Sequence, residues 1–367
     1  MHVLATQLAT LDEADAAIDL GQSPADVVVL SFSDSDLSAL AAAWQQDAES
    51  LPTLRLASLK KLRHPMSVDL YVERVVAHAR LVIVRGLGGL DYWRYGFERV
   101  GDIARENGVL FAALPGDDRA DPRLVSVSTL ATGPLARLEH FFREGGTENL
   151  RRALHYVASL LGRHNTWLPP AAVGPIAGLT LDRRTVPVCE LCQAQDSRPA
   201  ALVVFYRSNL MAADIEPIAA LLEALDREGL APMAVAVNSL KDPAVEADLA
   251  RLVRARKPAV ILNTTAFSAR REDDSTVLDA ADVPVLQVVL SGSTREGWSS
   301  SPRGLSPADL AMNVVLPELD GRLLTRAISF KAEAPIDPRI EFGSVRHASD
   351  PDRVDYVARL ASAWARL

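Results

Sequence analysis

A chain of 367 residues with 49% apolar and 23% charged side chains is too apolar and too lightly charged to be disordered, and it is long enough for about two domains, each with a core. Its 47 acidic against 39 basic residues, net charge −8, argue against nucleic acid as the main partner, because neutralising phosphates needs a basic face. Two cysteines are too few for a disulfide framework, no apolar run approaches membrane-spanning length, and no Lys or Arg precedes Arg55 to start a secretory signal, so a reducing cytoplasm with no membrane partner is expected.

In chain order, residues 2–6, 25–31, 52–56, 80–85 and 109–114 read as strands, several of them as the unbroken apolar runs of a sheet covered on both faces. Between them Leu37, Leu40, Ala41 and Trp44 follow helical spacing, and Leu90, Trp93, Phe97, Val100 and Ala104 form a second stripe closed by Gly108. Alternation of this kind predicts a parallel sheet with right-handed crossovers over residues 1–122. Residues 123–198 read as a helical connector, with helices near 134–144 and 147–162 split by Gly145-Gly146, followed by a Pro/Gly-rich linker. A second alternating unit spans 199–334, with strands at 200–206, 233–237, 259–263 and 283–290. Its helices carry recognisable starts: Asp242 before Pro243, and Ser306 with Asp309 at the third helical position. Val354, Val357, Leu360, Trp364 and Leu367 stripe one last helix, so residues 335–367 read as the start of a further domain or as a helix that docks back on a neighbour. The predicted fold class is therefore α/β, two Rossmann-like parallel-sheet domains joined by a helical connector.

Ligands of open parallel sheets sit beyond the carboxyl ends of the strands. In the second unit those ends carry Tyr206-Arg207, Asn238, Asn263 to Phe267, and the polar stretch Ser291 to Trp298, which reads as a long loop. Aromatic faces and guanidinium forks on one rim suit a large, flat, carboxylated ligand. Several of these Asn, Ser and Thr residues also fit as helix caps, and Trp298 could equally cover a gap in the core. In the first unit Arg85-Gly-Leu-Gly-Gly89 departs from the dinucleotide GxGxxG pattern, and no GxxxxGK[ST] phosphate loop occurs, so the glycines read as a tight turn. Cys189 and Cys192 have CxxC spacing but lack a second pair; with only His140, His155 and His164 nearby, two free thiols fit better than a zinc site. Glu318 and Asp320 read either as paired carboxylates able to meet a metal or as part of a turn in which Gly321 supplies positive φ.

The run Ala201-Leu-Val-Val-Phe-Tyr-Arg-Ser208, the stretches Ile261 to Phe267 and Pro284 to Leu290, the motifs Arg295-Glu-Gly-Trp298 and Leu316-Pro-Glu-Leu-Asp-Gly321, and Arg85 to Trp93 in the first unit occur together in one order. In that order they resemble the large subunit of the aerobic cobaltochelatases, and more loosely the magnesium chelatase large subunits of the same family. The resemblance implies a fragment of a tetrapyrrole-binding subunit that inserts Co(II), as substrate metal, into hydrogenobyrinic acid a,c-diamide, with ATP bound by AAA+-type partner subunits and not by this chain. It also implies that the groups delivering metal and removing pyrrole protons lie outside this region. Substrate contacts are then expected from Tyr206, Arg207, Asn263, Phe267, Gln287, Arg295 and Trp298, and metal contacts from Glu318 and Asp320. A docking or scaffold module for the ATPase partners is the alternative, as is a magnesium-chelatase-type large subunit.

Overall fold

Unbroken apolar runs become buried strands throughout the computed structural model, which describes residues 17–116, 121–163, 166–271 and 274–366. The strand expected over residues 2–6 lies outside the described residues. The chain divides into two units: the described residues up to Ala172 with Met211–Ala213 and Ala334–Ser344, and Val173–Leu210 with Asp214–Glu333 and the residues from Val345 onward.

In the first unit, strands β1 (Val27–Ser31), β2 (Leu54–Ser58), β3 (Leu81–Gly86) and β4 (Leu110–Pro115) form a wholly parallel sheet in the order β2-β1-β3-β4. Successive strand side chains point to opposite faces, so both faces need cover. Val28, Leu30, Val82 and Val84 share a core with the helices Pro65–Arg74 and Arg94–Asn107. Val27, Val29, Leu81 and Ile83 share the other with Asp34–Gln46, Thr132–Glu144 and Gly146–Leu160. The last two helices fall in the stretch expected to be a connector, and their Leu138, Phe141, Leu150 and Val157 are core residues of this unit. Helix ends follow local chemistry. The Ser33 hydroxyl accepts the Asp36 N–H at the start of Asp34–Gln46, and Gly108, at φ +70°, ends Arg94–Asn107 as the left-handed position requires. The glycine that ends β3 and the one after β4 serve close packing. A Cβ on Gly86 would lie 2.5 Å from the Phe97 ring, and one on Gly116 would lie 2.8 Å from the Leu87 nitrogen.

In the second unit, β5 (Ile176–Leu179), β6 (Thr185–Val186), β7 (Ala200–Tyr206), β8 (Ala231–Val237), β9 (Val260–Asn263), β10 (Val285–Thr294), β11 (Leu323–Glu333) and β12 (Val345–Ser349) form one sheet in the order β12-β11-β10-β9-β7-β8-β5-β6. The middle strands from β11 to β8 run parallel, whereas β12, β5 and β6 add antiparallel at the edges. The sheet is therefore mixed and not the purely parallel one the sequence predicted. Strands β5 and β6 hide in the Pro/Gly-rich passage because they are short, and Gly178 makes room for Leu191, whose Cδ1 would lie 2.7 Å from a Cβ there. Strand β11 hides because its first four residues are not buried.

The helix Pro351–Trp364, capped by Asp350, packs within the second unit. Its Val354, Val357, Ala358 and Ala361 are buried, and it packs on the helix Glu216–Arg227 and on β11. Arg227 pairs with Asp355 at 2.7 Å, and the Ser362 hydroxyl donates to the Glu228 carbonyl. An apolar stripe with a neighbouring stripe in reach docks on it because burial removes roughly 25 cal/mol per Å² of exposed apolar area.

Candidate functional site

Among the parallel strands of the second unit, β8 lies on one side of β7, and β9, β10 and β11 lie on the other. The strand order reverses between β7 and β9, and that reversal is where open α/β sheets leave a crevice at their carboxyl ends. Tyr206 ends β7 and Asn263 ends β9. Here the crevice is filled by a polar network. The Thr265 carbonyl accepts the Asn263 side-chain amide and the Gln287 side-chain amide, each at 3.0 Å, and Arg322 at 3.4 Å. Asn263 also donates to Gln287 Oε1 at 2.9 Å, where Arg322 donates at 3.1 Å, and the Tyr206 hydroxyl donates to the Ala266 carbonyl at 2.9 Å. Asn263 and Gln287 are buried. Their amides hold the 264–267 loop and present no surface to a ligand, while burial pushes the Tyr206 hydroxyl pKa up.

That network ends on a residue the sequence reading missed, Arg322. Its guanidinium meets Asp320 at 2.6 Å, with side-chain exposures of 2% and 1%. Asp320 also accepts the Ala269 N–H at 2.7 Å and the Ser268 hydroxyl. Burial of Arg322 lowers its pKa, and Asp320 works against that shift. Asp320 is thus committed to structure. Glu318, two residues earlier, is exposed, and Gly321 at φ +70° closes the turn. The one sequence signal for Arg322 was its place directly after an acidic turn.

The loop so fixed displays Phe267, 43% exposed and at φ +65°. A bulky side chain in the left-handed region costs on the order of 1–3 kcal/mol and persists where its surroundings hold it. Its N–H is held by the Met312 carbonyl at 2.8 Å. Arg207 opens the short helix Arg207–Met211 and donates to the Val173 carbonyl at 3.0 Å.

The expected loop from Ser291 to Trp298 is a continuation of β10 to Thr294 and then a helix, Arg295–Ser300. Thr294 makes the switch by capping, its hydroxyl accepting the Gly297 N–H at 3.1 Å. Asp309, expected to serve its own helix, instead accepts the Ser291 hydroxyl at 2.9 Å and the Gly292 N–H. On this short helix Arg295 lies 4.6 Å from the Trp298 ring and 5.1 Å from the ring of Phe330, and it pairs with Asp350 at 3.1 Å. Trp298 packs against Phe330 with centroids 5.3 Å apart, so it does cover a small apolar cluster of Val289, Ala327 and Phe330. Arg295 and Trp298 form one cation–π unit on the surface.

A third cluster escaped the sequence entirely. Asp214, buried, accepts the His347 N–H and meets His347 Nδ1, each at 2.8 Å, and Lys331 Nζ lies at 2.9 Å. Desolvation alone would raise the Asp214 pKa, but the His347 hydrogen bond and the His347 and Lys331 charges win and hold it well below the usual carboxylate range. A carboxyl depressed in the folded state contributes stability that is whole above its unfolded pKa of about 3.9 and is lost as pH falls below it. Asp214→Asn should therefore lower the melting temperature at pH 7 and close its gap to the parent protein as pH falls from 5 towards 2; a gap that stays constant over that range sinks the assignment.

Among the described residues no group of three or more His, Cys, Asp or Glu could hold a metal ion. Cys189 and Cys192 are free thiols on the helix Val188–Gln193. His155 is engaged with Asp47 at 2.8 Å, and His164 lies outside the described residues. A cavity of about 700 Å³, lined by residues such as Asp196, Arg198, Arg256 and Lys257, opens at the amino ends of β7 and β9, away from the rim that holds Phe267.

Comparison with known proteins places this geometry in a family. The CobN/magnesium chelatase family model matches residues 139–367. The chain is 40% identical over 382 residues to the aerobic cobaltochelatase subunit CobN of a Sinorhizobium species, covering all of this chain and 30% of that protein. It is 40% identical over 371 residues to the CobN subunit of Pseudomonas aeruginosa, again over the whole chain and 30% of the relative. The catalytic subunit of cobaltochelatase from Mycobacterium tuberculosis superposes with a TM-score of 0.72 at 29% identity, over 93% of this chain and 27% of that one. The chain thus spans about a third of the length of the curated relatives it matches. With a family model over most of its length and 40% identity along all of it, the chain belongs to the CobN/magnesium chelatase family.

Proposed function

We propose that this chain is part of the large subunit of a cobaltochelatase, and that its second unit contacts the carboxylated tetrapyrrole, hydrogenobyrinic acid a,c-diamide, into which the complex inserts Co(II). The observation that carries the reading is the Arg295–Trp298 pair, with Arg295 exposed and Trp298 partly buried just beyond β10, in a chain 40% identical throughout to cobaltochelatase subunits. Guanidinium forks match carboxylates, and aromatic faces match a conjugated macrocycle. In this reading Arg295 and Arg207 meet carboxylates and Phe267 and Trp298 meet the ring. Tyr206, Asn263 and Gln287 act through the loop they hold. Glu318, exposed, is the carboxylate available to the incoming cobalt, and ATP is hydrolysed by AAA+-type partner subunits.

Titrating the protein with hydrogenobyrinic acid a,c-diamide while following tryptophan fluorescence tests this. Saturable quenching is expected, reduced in Trp298→Phe. Arg295→Ala should weaken affinity tenfold or more, since a charged hydrogen bond is worth roughly 1.5–3 kcal/mol. Absence of quenching, together with capture of the ATPase subunits by this chain, would leave a docking module in place of a substrate site.

A further inference from the structure

Beside Trp298 the second unit gathers more positive charge than it neutralises. Arg353, in the first turn of Pro351–Trp364, lies 4.6 Å from the Trp298 ring, as Arg295 does, and Arg326 on β11 lies 3.6 Å from the ring of Tyr356, one turn along the same helix. Among the described residues Asp350 is the one carboxylate ion-paired with any of these three arginines, and its partner is Arg295. The Arg353 Nε donates to the Ala327 carbonyl at 2.5 Å, which fixes the plane of its guanidinium. Arg326 is exposed and Tyr356 is 37% exposed. Burial lowers the pKa of Arg353, and the charges of Arg326 and Arg295 lower it further against the pull of Asp350. Like charges that act on one another in this way are costly unless an anion joins them. Planar guanidiniums laid over aromatic rings are also pre-organised, so little rotamer entropy remains to be lost on binding.

We infer that Arg326 and Arg353 join Arg295 in a three-guanidinium clamp for a flat ligand bearing two or more carboxylates. The identity of that ligand as a tetrapyrrole rests on the function proposed above; the clamp itself does not. It assigns recognition to a strand and a helix, β11 and Pro351–Trp364, that the rim of polar strand ends leaves out.

The test uses benzenetricarboxylate as a minimal flat polyanion, its uncharged trimethyl ester as control, and the part of the quenching that disappears in Trp298→Phe as readout. Saturable quenching by the tricarboxylate, none by the ester, and an affinity falling about tenfold in Arg326→Gln are expected. Arg326 is chosen because its exposed side chain can be replaced without disturbing the core; an unchanged melting temperature confirms that. Arg353→Gln should act in the same direction. No quenching by the tricarboxylate, equal quenching by its ester, or indifference to Arg326→Gln each overturns the clamp. If the tricarboxylate behaves as expected and the tetrapyrrole does not bind, the clamp stands and the tetrapyrrole reading falls. Tetrapyrrole binding that ignores Arg326 has the opposite meaning.

Discussion

Replacing Asp320 with alanine should destabilise the second unit by about 3–5 kcal/mol, because it leaves a buried guanidinium without its counter-charge. Arg322 would keep only carbonyl and amide acceptors, Thr265 and Gln287, at 3.4 and 3.1 Å, and Ser268 and Ala269 would lose their acceptor. The same buried pair need not be strongly stabilising in itself, since desolvating two charges costs about what their attraction returns. Asp320→Ala combined with Arg322→Met should therefore recover much of the loss. Urea unfolding of the single and double variants measures both effects. A metal-ligand role for Asp320 makes a different forecast: near-parental stability with altered cobalt binding. A loss below about 1 kcal/mol, the scale of an exposed pair, would mean that Asp320 and Arg322 do not form the buried pair described.

Val357→Asp should cost about 4 kcal/mol at pH 7 and much less near pH 4. Val357 is fully buried on the helix Pro351–Trp364, so the new carboxyl must stay neutral in the folded protein. Holding it neutral three units above its ordinary pKa of about 3.9 costs about 1.4 kcal/mol per unit. The sign follows from that pKa being raised on folding: the penalty grows as pH rises above 4 and fades as pH falls towards it. Melting curves at pH 7 and pH 4.5 read this directly. Were the helix a detached element, the substitution would be neutral at both pH values. The outcome thus decides whether residues 351–364 complete the second unit.

How much of this was legible beforehand depended on whether the cause was local. The runs that became β1, β3, β7 and β9 are apolar but for their last one or two residues, and a strand buried on both faces needs nothing more to be recognised. The stripe Leu37, Leu40, Ala41 and Trp44 and the glycine at 108 likewise carry their own evidence. Strand β11 failed because its Leu323 and Leu324 are exposed, so no alternation marks its start. Strands β5 and β6 failed because a Pro/Gly-rich composition says loop when a neighbouring strand is not yet known. The stretch from Ser291 to Trp298 reads as loop by composition, yet one threonine cap turns it into strand and helix.

Among the candidate site residues the same division holds. The sequence by itself determined the residue types at the strand ends, the positive-φ turn at Gly321 and, through its ordered motifs, the family; the pairing of Arg295 with Trp298 appeared only with the helix Arg295–Ser300. Only the tertiary structure decided which polar groups are left over for a ligand. Asn263 and Gln287 are 24 residues apart and satisfy each other; Asp320 is taken by Arg322; Asp214 finds its partners 117 and 133 residues away. Arg326 and Arg353 join Arg295 across a strand and a helix. Burial and hydrogen bonding are settled between segments distant in the chain, and a polar side chain becomes structural or available according to which of those segments reaches it first.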